Sequence, residues 1–578
     1  MTITNALYTS FAGLRHTESQ INVTSQNVTN ADKKGYTRKE LQTSYVTTNA
    51  GTVPMGGSVE TVNYNKYMLK SLVEDTSAAH TNMVISDYLS AYAKQLGSIA
   101  GDNSISAYID DFAAAMSQLS ITPEDTALKN QVIATADRVT RELNSLSATV
   151  QQTRLTVDQQ IDIKIKRVNE LLVSLDAMNK EFTKSEVLGK TTSNLIDERN
   201  VALEELSSLI NIDYFINSQN QLQIYSAQRP LLDSRARTIE YSAGTAIDKS
   251  VIYPGSLPPI EVDGYDITSF TKGGEIGGLL AMRDTYMVQE QAKLDEFASV
   301  LMTQMNGLLN QGTAVPPRTT LVGETAGLSL TDSLGGATGN FRIAMVDANG
   351  TVQNVATINL ASYTTVGALI AGINSTIGTD LTTSLTSNGQ LRISSNVPGQ
   401  GIAINPLSSN FPTGENIGAY FGLNNIFSGS GAENISISSY LTANGAHLAT
   451  GRLDATATVG QKGLASGDAS LINSMHSAIT SAYSFAAAGN FAAQSDSLSN
   501  YIDNLIADVA YRASNAETTA SIAQSLMDQT KTTLENMSGV NIDEEMANLI
   551  DLEAKYEASA TMIKTLQEMF DTLVSAVR

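Results

Sequence analysis

Over the last part of the chain, apolar side chains recur in alternating steps of three and four. Leu549, Leu552, Tyr556, Ile563, Leu566, Phe570, Leu573 and Val577 lie on one line, with Ser559 its only polar member, and residues 541–578 contain no glycine or proline. This heptad pattern predicts a helix with a narrow apolar stripe that needs a partner. Asn541 with Glu544 three residues on predicts its start as a capping box. Near the other end, Leu7, Phe11, Leu14, Ile21 and Val28 form a similar seam, with Glu18 and Ser25 as polar members. Its stop is predicted over 30–35, where Gly35 tolerates left-handed geometry and Lys33 and Lys34 suit the negative end of a helix dipole. Residues 1–45 hold five Lys/Arg against three Asp/Glu, and residues 541–578 three against eight, so the arms are complementary in charge as well as in seam. Each arm alone buries too little surface to offset an ordering cost of roughly 1–2 kcal/mol per residue. Both are expected to be unfolded in a free chain and to fold together on assembly.

Between the arms the period changes several times. Thr122-Pro123-Glu124-Asp125 predicts a helix start with Thr122 as cap. Leu128, Val132, Ala136, Val139, Leu143, Leu146 and Val150 then form a seam, resumed by Val157, Ile161, Val168, Leu172 and Leu175, so a very long helix is expected. Further helices are predicted over 194–210 and 276–309. Short strands are predicted at 214–216, 222–225, 238–241, 251–253 and 260–262. After Pro316-Pro317 the composition turns to Thr, Ser, Gly and Asn. Phe341, Ile343 and Met345 alternate with polar residues, and Asn349-Gly350 and Asn388-Gly389 predict type I′ hairpins. One amphipathic helix, 365–377, interrupts these strands. Leu498, Ile502, Leu505 and Val509 resume a helical seam.

The expected fold is therefore α+β and multidomain. Its expected parts are an N-terminal helical arm (1–45), the first part of a helical rod domain (46–318) carrying a β stretch at 213–270, and an inserted outer β-rich domain (319–455). Returning rod helices (456–538) and a C-terminal helical arm (539–578) complete it. The linker after the first arm carries Gly51, Pro54, Gly56 and Gly57 before an extended stretch at 59–62.

Composition narrows the function classes. A formal net charge of −22 argues against nucleic acid, which needs clustered Lys and Arg. There are no cysteines, so no thiolate metal site or cysteine nucleophile is available. No apolar run approaches a membrane span, and residues 1–5 lack the features of a cleaved signal; by themselves these would suggest a cytoplasmic protein. His16, His80, His447 and His476 lie far apart and form no zinc motif. No nucleophile elbow or phosphate loop occurs, and Asp543-Glu544-Glu545 reads as acids on a helix N-terminus. No catalytic, metal or cofactor-binding residue is expected, and no enzyme activity.

Four motifs carry a resemblance. Gln26-Asn-Val-Thr-Asn-Ala31 with Gly35-Tyr36-Thr37-Arg38 resembles the N-terminal signature of bacterial flagellar axial proteins, in the form of the hook-associated protein 1 family. Ser538-Gly-Val-Asn-Ile-Asp-Glu-Glu545, with Asn548-Leu-Ile550 and Tyr556-Glu-Ala-Ser-Ala560, is similar to that family's C-terminal signature. Leu195-Ile196-Asp197-Glu198-Arg199 through Ile212, and Gly273-Gly-Glu-Ile-Gly-Gly-Leu-Leu280 with Arg283-Asp284, match internally. The chain departs from the family at Asn217-Ser-Gln-Asn220, where a turn with Asp-Gly is usual, and residues 320–455 match only loosely.

The resemblance implies a structural adaptor ring joining hook to filament, secreted through the flagellum's own type III export channel and located outside the cell. The implied assembly interface is the two seams: Leu7, Phe11, Leu14, Ile21, Val28, Leu549, Leu552, Tyr556, Ile563, Leu566, Phe570, Leu573 and Val577. Implied partners are further copies of the chain, the hook protein, a second junction protein on the filament side and a dedicated export chaperone. Leu552, Ile563, Leu566, Phe570 and Leu573 are the expected chaperone contact. Neither nucleic acid nor membrane insertion is expected. The alternatives are another axial protein (hook, cap or filament subunit), or a flagellar protein whose outer domain is an adhesin.

Overall fold

The computed structural model describes residues 3–577 except 44, 49, 50, 55–58, 63, 64, 100, 102, 189 and 218. Gly56 and Gly57 of the linker and the side chain of Val577 lie outside the described residues. The helices, in chain order, are α1 (Ile3–Asn30), α2 (Lys66–Leu96), α3 (Ile105–Ile121), α4 (Thr126–Val187), α5 (Ser193–Leu209), α6 (Gly274–Ala281) and α7 (Met287–Leu309). They continue with α8 (Val366–Ile377), α9 (Ile417–Phe421), α10 (Ser439–Ala443), α11 (Ser470–Thr480), α12 (Leu498–Ser538) and α13 (Ile542–Val577). Helices and small antiparallel sheets together make the α+β, multidomain fold expected. The chain forms two compact units. One comprises Met1–Tyr88, Leu155–Asp284 and Ser514–Arg578, the other Leu89–Arg154 and Thr285–Ala513.

α4 runs for 62 residues. Its seam residues from Val132 to Leu175 are all at 1% exposure or less, because the heptad spacing keeps one line inward over the whole length. Its cap is Asp125, not Thr122: the Asp125 carboxylate accepts from the backbone of Ala127 (2.7 Å) and Leu128 (3.3 Å). Thr122 instead closes α3. An acid directly before the helix both caps it and faces its positive end.

In the first unit, α1 leads to two antiparallel strand pairs, Lys39–Gln42 with Val59–Val62 and Tyr45–Thr48 with Gly51–Pro54. Strands Asp213–Ile216, Leu222–Ser226 and Arg229–Leu232 form one sheet, and Ile239–Glu240, Glu261–Val262 and Tyr265–Asp266 another. The strand expected at 251–253 is a turn, since Pro254, Pro258 and Pro259 remove ladder donors there. Strand Arg229–Leu232 carries Pro230 and accordingly sits at a sheet edge.

The glycine-rich motif is a packing device. Gly274 has φ +70, and a Cβ there would lie 2.5 Å from the Leu209 carbonyl carbon, so only glycine lets α6 start against the end of α5. A Cβ on Gly278 would meet the Thr81 carbonyl oxygen at 2.7 Å, bringing α6 equally close to α2. The helix expected over 276–309 is present, but it passes through a π-turn, Met282–Tyr286, between α6 and α7. That turn carries Arg283, whose Nη1 lies 2.7 Å from Asp158 Oδ1, both side chains fully buried. Tyr241 also bonds Asp158, and the Gly244 backbone donates to it at 2.7 Å. An inserted residue re-aims the helix face, and here the π-turn delivers a guanidinium to a carboxylate on α4.

Glu275 accepts from His80 and from Lys164, the latter at 2.6 Å. The His80 bond, the largest cause, and Lys164 hold its carboxyl below the ordinary 4.5 even though burial pushes the other way. A carboxyl lowered on folding contributes stability that is complete above its unfolded value and is lost as pH falls through its folded value. Glu275→Gln is therefore expected to lower stability near neutrality and to flatten its decline between about pH 5 and pH 3. Calorimetric melting across that range reads both effects.

In the second unit, strand Asn340–Asp347 is flanked by Val352–Asn359 and Gln400–Asn405, and Thr320–Val322, Leu391–Ser395 and Leu381–Leu385 make a second sheet. Phe341, Ile343 and Met345 face a core shared with Val366, Leu369 and Ile373 of α8. The expected alternation with polar residues holds only at Arg342: Ala344 and Val346 are buried in a second cluster with Leu453 and Leu464. The returning segment covers that second face: Gly460 donates to Val352 and Gly463 to Gly350, both at 2.8 Å. Gly350 and Gly389 have positive φ, whereas Asn349 and Asn388 do not. These turns are therefore not type I′, which needs positive φ at both central residues. Thr365 caps α8 through Ala368 (3.2 Å).

Candidate assembly site at the paired termini

Within a single copy, α1 and α13 pack against each other as antiparallel helices, the end of α1 beside the start of α13. A clamp of polar groups, described next, holds them to the rest of the unit.

The helix pair uses the two seams differently. On α13 the seam side is the packed side: Leu552 is buried, and Leu549, Ile563 and Leu566 are half-buried. Tyr556, Phe570 and Leu573 on the same line are exposed. On α1 the most buried positions are Ser10, Thr17, Val23, Thr24 and Asn27. Leu14, Ile21 and Val28 flank that face half-buried, while Leu7 and Phe11 are 39% and 52% exposed. Phe11 shares its line with Glu18 and Ser25. Turning that line inward would bury an unpaired carboxylate, so the helix presents its small residues instead. An exposed apolar row thus remains on both helices.

The N-terminal motif is the clamp. Gly35 takes φ +74, and any Cβ there would run into Val201 of α5, so the chain turns sharply after α1. Thr37 Oγ1 then donates to Asp197 Oδ1 (2.7 Å), and Lys39 Nζ meets Asp197 Oδ2 (2.8 Å) with the ammonium 1% exposed. Tyr36 Oη donates to Asn27 Oδ1 (3.1 Å), and its ring lies 4.1 Å from the Lys39 ammonium. The Arg38 backbone donates to the Ser538 carbonyl (2.7 Å), and its Nε to Glu545 Oε1 (2.7 Å). That bond is the largest cause raising Arg38 above its ordinary value.

Asn27 completes the clamp from α1. Its Nδ2 donates to the Lys39 carbonyl (3.0 Å) and to Glu545 Oε2 (3.1 Å), and its Oδ1 accepts the Lys39 N–H (3.0 Å). Asn541 caps α13 as expected, accepting from Asp543 at 3.1 Å. Residues from three separated motifs therefore converge on one buried polar node. Arg199, in the Asp197 motif, has another task. Its guanidinium lies over the Phe182 ring (5.1 Å) and donates to the Asn220 carbonyl (3.3 Å). Asn220 takes φ +56, which supports this turn where family members use Asp-Gly. Leu195 and Ile196 are half-buried on α5, and Glu198 is exposed.

Sequence reasoning quoted the motifs but missed Asn27, Lys39 and Glu545 as partners. Asn27 reads only as one position of the N-terminal motif and Glu545 as a helix-end acid. The available signal was the confinement of these polar residues to the motif segments. Chemically the node can hold chain segments together. Among the described residues, no group of three or more His, Asp or Glu is placed to hold a metal, and no helix is long and apolar enough to cross a membrane.

Comparison with known proteins places these features. Residues 93–321 match the family model described as the flagellar hook-associated protein FlgK helical domain. Residues 534–576 match the flagellar basal body rod FlgEFG protein C-terminal model. Flagellar hook-associated protein 1 of Escherichia coli (strain K12) is 21% identical over 587 residues, covering 98% of each chain. The Bacillus subtilis (strain 168) protein of that name is 23% identical over 261 residues, 42% of this chain and 50% of its own length. The flagellar hook junction protein FlgK from Burkholderia pseudomallei has a similar fold at 13% identity. Its TM-score is 0.52, over 80% of this chain and 99% of that one.

Proposed function

We propose that this chain, which belongs to the flagellar hook-associated protein 1 family, is a structural subunit of the flagellum that joins hook to filament. The observation that carries this reading is the node of Asn27, Thr37, Arg38, Lys39, Asp197 and Glu545. It fixes two terminal helices side by side, each with an apolar row still exposed. Paired helices with uncovered apolar rows suit a tube wall, where each pair packs against its neighbours.

In this reading copies of the chain form a ring. Residues 1–45 and 539–578 line an inner tube around the export channel, the helical segments 46–318 and 456–538 form the rod, and 319–455 faces outward. The hook protein lies on one side and a second junction protein on the other, and the chain reaches the outside of the cell by type III export. A family of structural subunits is consistent with no enzymatic role. Immunogold electron microscopy of intact flagella, with antibody against residues 320–455, tests it. One labelled band at the hook–filament boundary is expected. Label along the hook, along the filament or at the tip would reassign the chain to another axial role.

The seam of α13 also supports a chaperone contact before assembly, through Leu552, Ile563, Leu566, Phe570 and Leu573. Leu566 is half-buried, whereas Phe570 is 51% exposed. The double change Leu566→Asp with Phe570→Asp is expected to abolish both chaperone binding and assembly. Phe570→Asp alone should leave helix content unchanged while weakening chaperone binding. Retained affinity in a titration of the double variant would refute a shared surface.

A further inference from the structure

In the second unit, Lys293 of α7 is completely buried among reactive groups that no assembly role uses. Its Nζ lies 2.9 Å from Asp508 Oδ2 of α12 and 2.9 Å from Glu290 Oε1, one helical turn away. Glu290 is also fully buried. Its Oε1 takes a second bond from Arg512 Nη1 (2.8 Å), while its Oε2 has no hydrogen-bond partner among the described residues. Asn490 Nδ2 sits 3.1 Å from both oxygens of Asp508. Phe491 lies 4.9 Å from Nζ and meets Tyr501 edge-on, and Tyr501 stacks with Phe297 and Phe485.

We infer that Lys293 and Asp508 condense to an intramolecular isopeptide bond, with Glu290 as the proton-transfer residue. An amine, a carboxyl carbon and a third acid held within hydrogen-bond distance are the requirements for amide formation without external activation; here the amine and the third acid are fully buried, and Asp508 is 19% exposed on the side where water would leave. The Lys293 ammonium first passes a proton to the Asp508 carboxylate. The neutral amine attacks Asp508 Cγ, forming the N–C bond. Glu290 Oε1, 2.9 Å from Nζ, takes the second proton from that nitrogen and returns it to the departing hydroxyl, so one C–O bond breaks and one water leaves. Asn490 donates to the oxygen that carries negative charge in the tetrahedral intermediate.

The surroundings favour the product. Two cations and two anions share the site, and condensation removes one of each, leaving the Arg512–Glu290 pair intact. Buried charges carry a desolvation cost that a neutral amide avoids. Burial pushes the Glu290 carboxyl above its ordinary value, which suits a group that must accept and release a proton. Burial also raises Asp508, but bonds from Lys293 and Asn490 outweigh it and leave that carboxyl below its ordinary value. Lys293 Nζ, 2.9 Å from Asp508 Oδ2, is placed to supply the proton that Asp508 needs. The bond would tie α7 to α12 across 215 residues of sequence, a covalent brace suited to a part under mechanical load.

Intact-mass spectrometry of the purified, folded full chain under denaturing conditions tests this. The expected mass is one water below that of the sequence. Proteolysis should yield a branched peptide joining the Lys293 and Asp508 fragments. Lys293→Arg keeps the cation and should restore the full mass, as should Asp508→Ala, and Glu290→Gln should leave most of the chain uncondensed. A full-mass wild-type chain with native helix content and linear peptides would overturn the inference, the site then being an ion-pair cluster only. A water deficit that persists in Lys293→Arg would overturn it equally.

Discussion

Asp197→Ala is expected to release the amino-terminal segment from α5 and to abolish incorporation into flagella. Asp197 is the shared acceptor for the Thr37 hydroxyl and the Lys39 ammonium. Lys39 is 1% exposed, so removing its partner strands a cation away from water. Breaking a buried pair from one side costs about 3–5 kcal/mol, far more than losing an exposed one. The penalty falls on the loop whose backbone and side chain also hold Ser538 and Glu545, so both arms should loosen together.

Hydrogen exchange read by mass spectrometry should show faster exchange over residues 31–45 and over the first turns of α13, with the second unit unchanged. Asp197→Asn retains an acceptor for Thr37 but not the charge, and should fall between wild type and alanine. Unchanged exchange in Asp197→Ala would show that the node does not hold the arms.

Arg283→Met is expected to destabilise the first unit by a comparable amount. The substitution keeps much of the side-chain volume but removes the cation from Asp158, and both partners are fully buried. Among the described residues, Asp158 would retain only Tyr241 and the Gly244 backbone, two neutral donors for a charge out of water. Burial pushes the Tyr241 phenol up, so it stays a donor and cannot take over the charge balance. The expected loss is again about 3–5 kcal/mol. With about 2–4 °C per kcal/mol for a unit of this size, calorimetry should show one transition moved down by more than 6 °C. A transition shifted by less than that would mean water reaches Asp158.

These two sites also show where sequence reading stopped. Arg283-Asp284 was visible as a motif, yet Arg283 bonds Asp158, 125 residues earlier on a helix whose apolar seam gave no sign of a buried acid. A carboxylate on the inward line of a heptad reads as an interruption until its partner is known. The π-turn was equally hidden, since one extra residue in a helix leaves composition unchanged. On α1 the seam was legible but the packed face was not. Leu7 and Phe11 gave the apolar line, while Glu18 kept it turned outward. Thr122 looked like a cap because Thr-Pro-Glu is a good start, but Asp125, nearer the first turn, does the capping.

What the sequence determined by itself was local or periodic: the long helix from its seam, the α8 helix, the Asn541 start of α13, and the left-handed geometry at Gly35. Each depends on residues within a turn or two, or on a repeat that persists along one element. The tertiary structure alone decided which acid meets which base. Lys39 and Asp197 are separated by 158 residues, and Asn27 and Glu545 by 518. Pairing over such separations leaves no periodic trace, because a buried charge finds its partner only where folding brings the two segments out of water together.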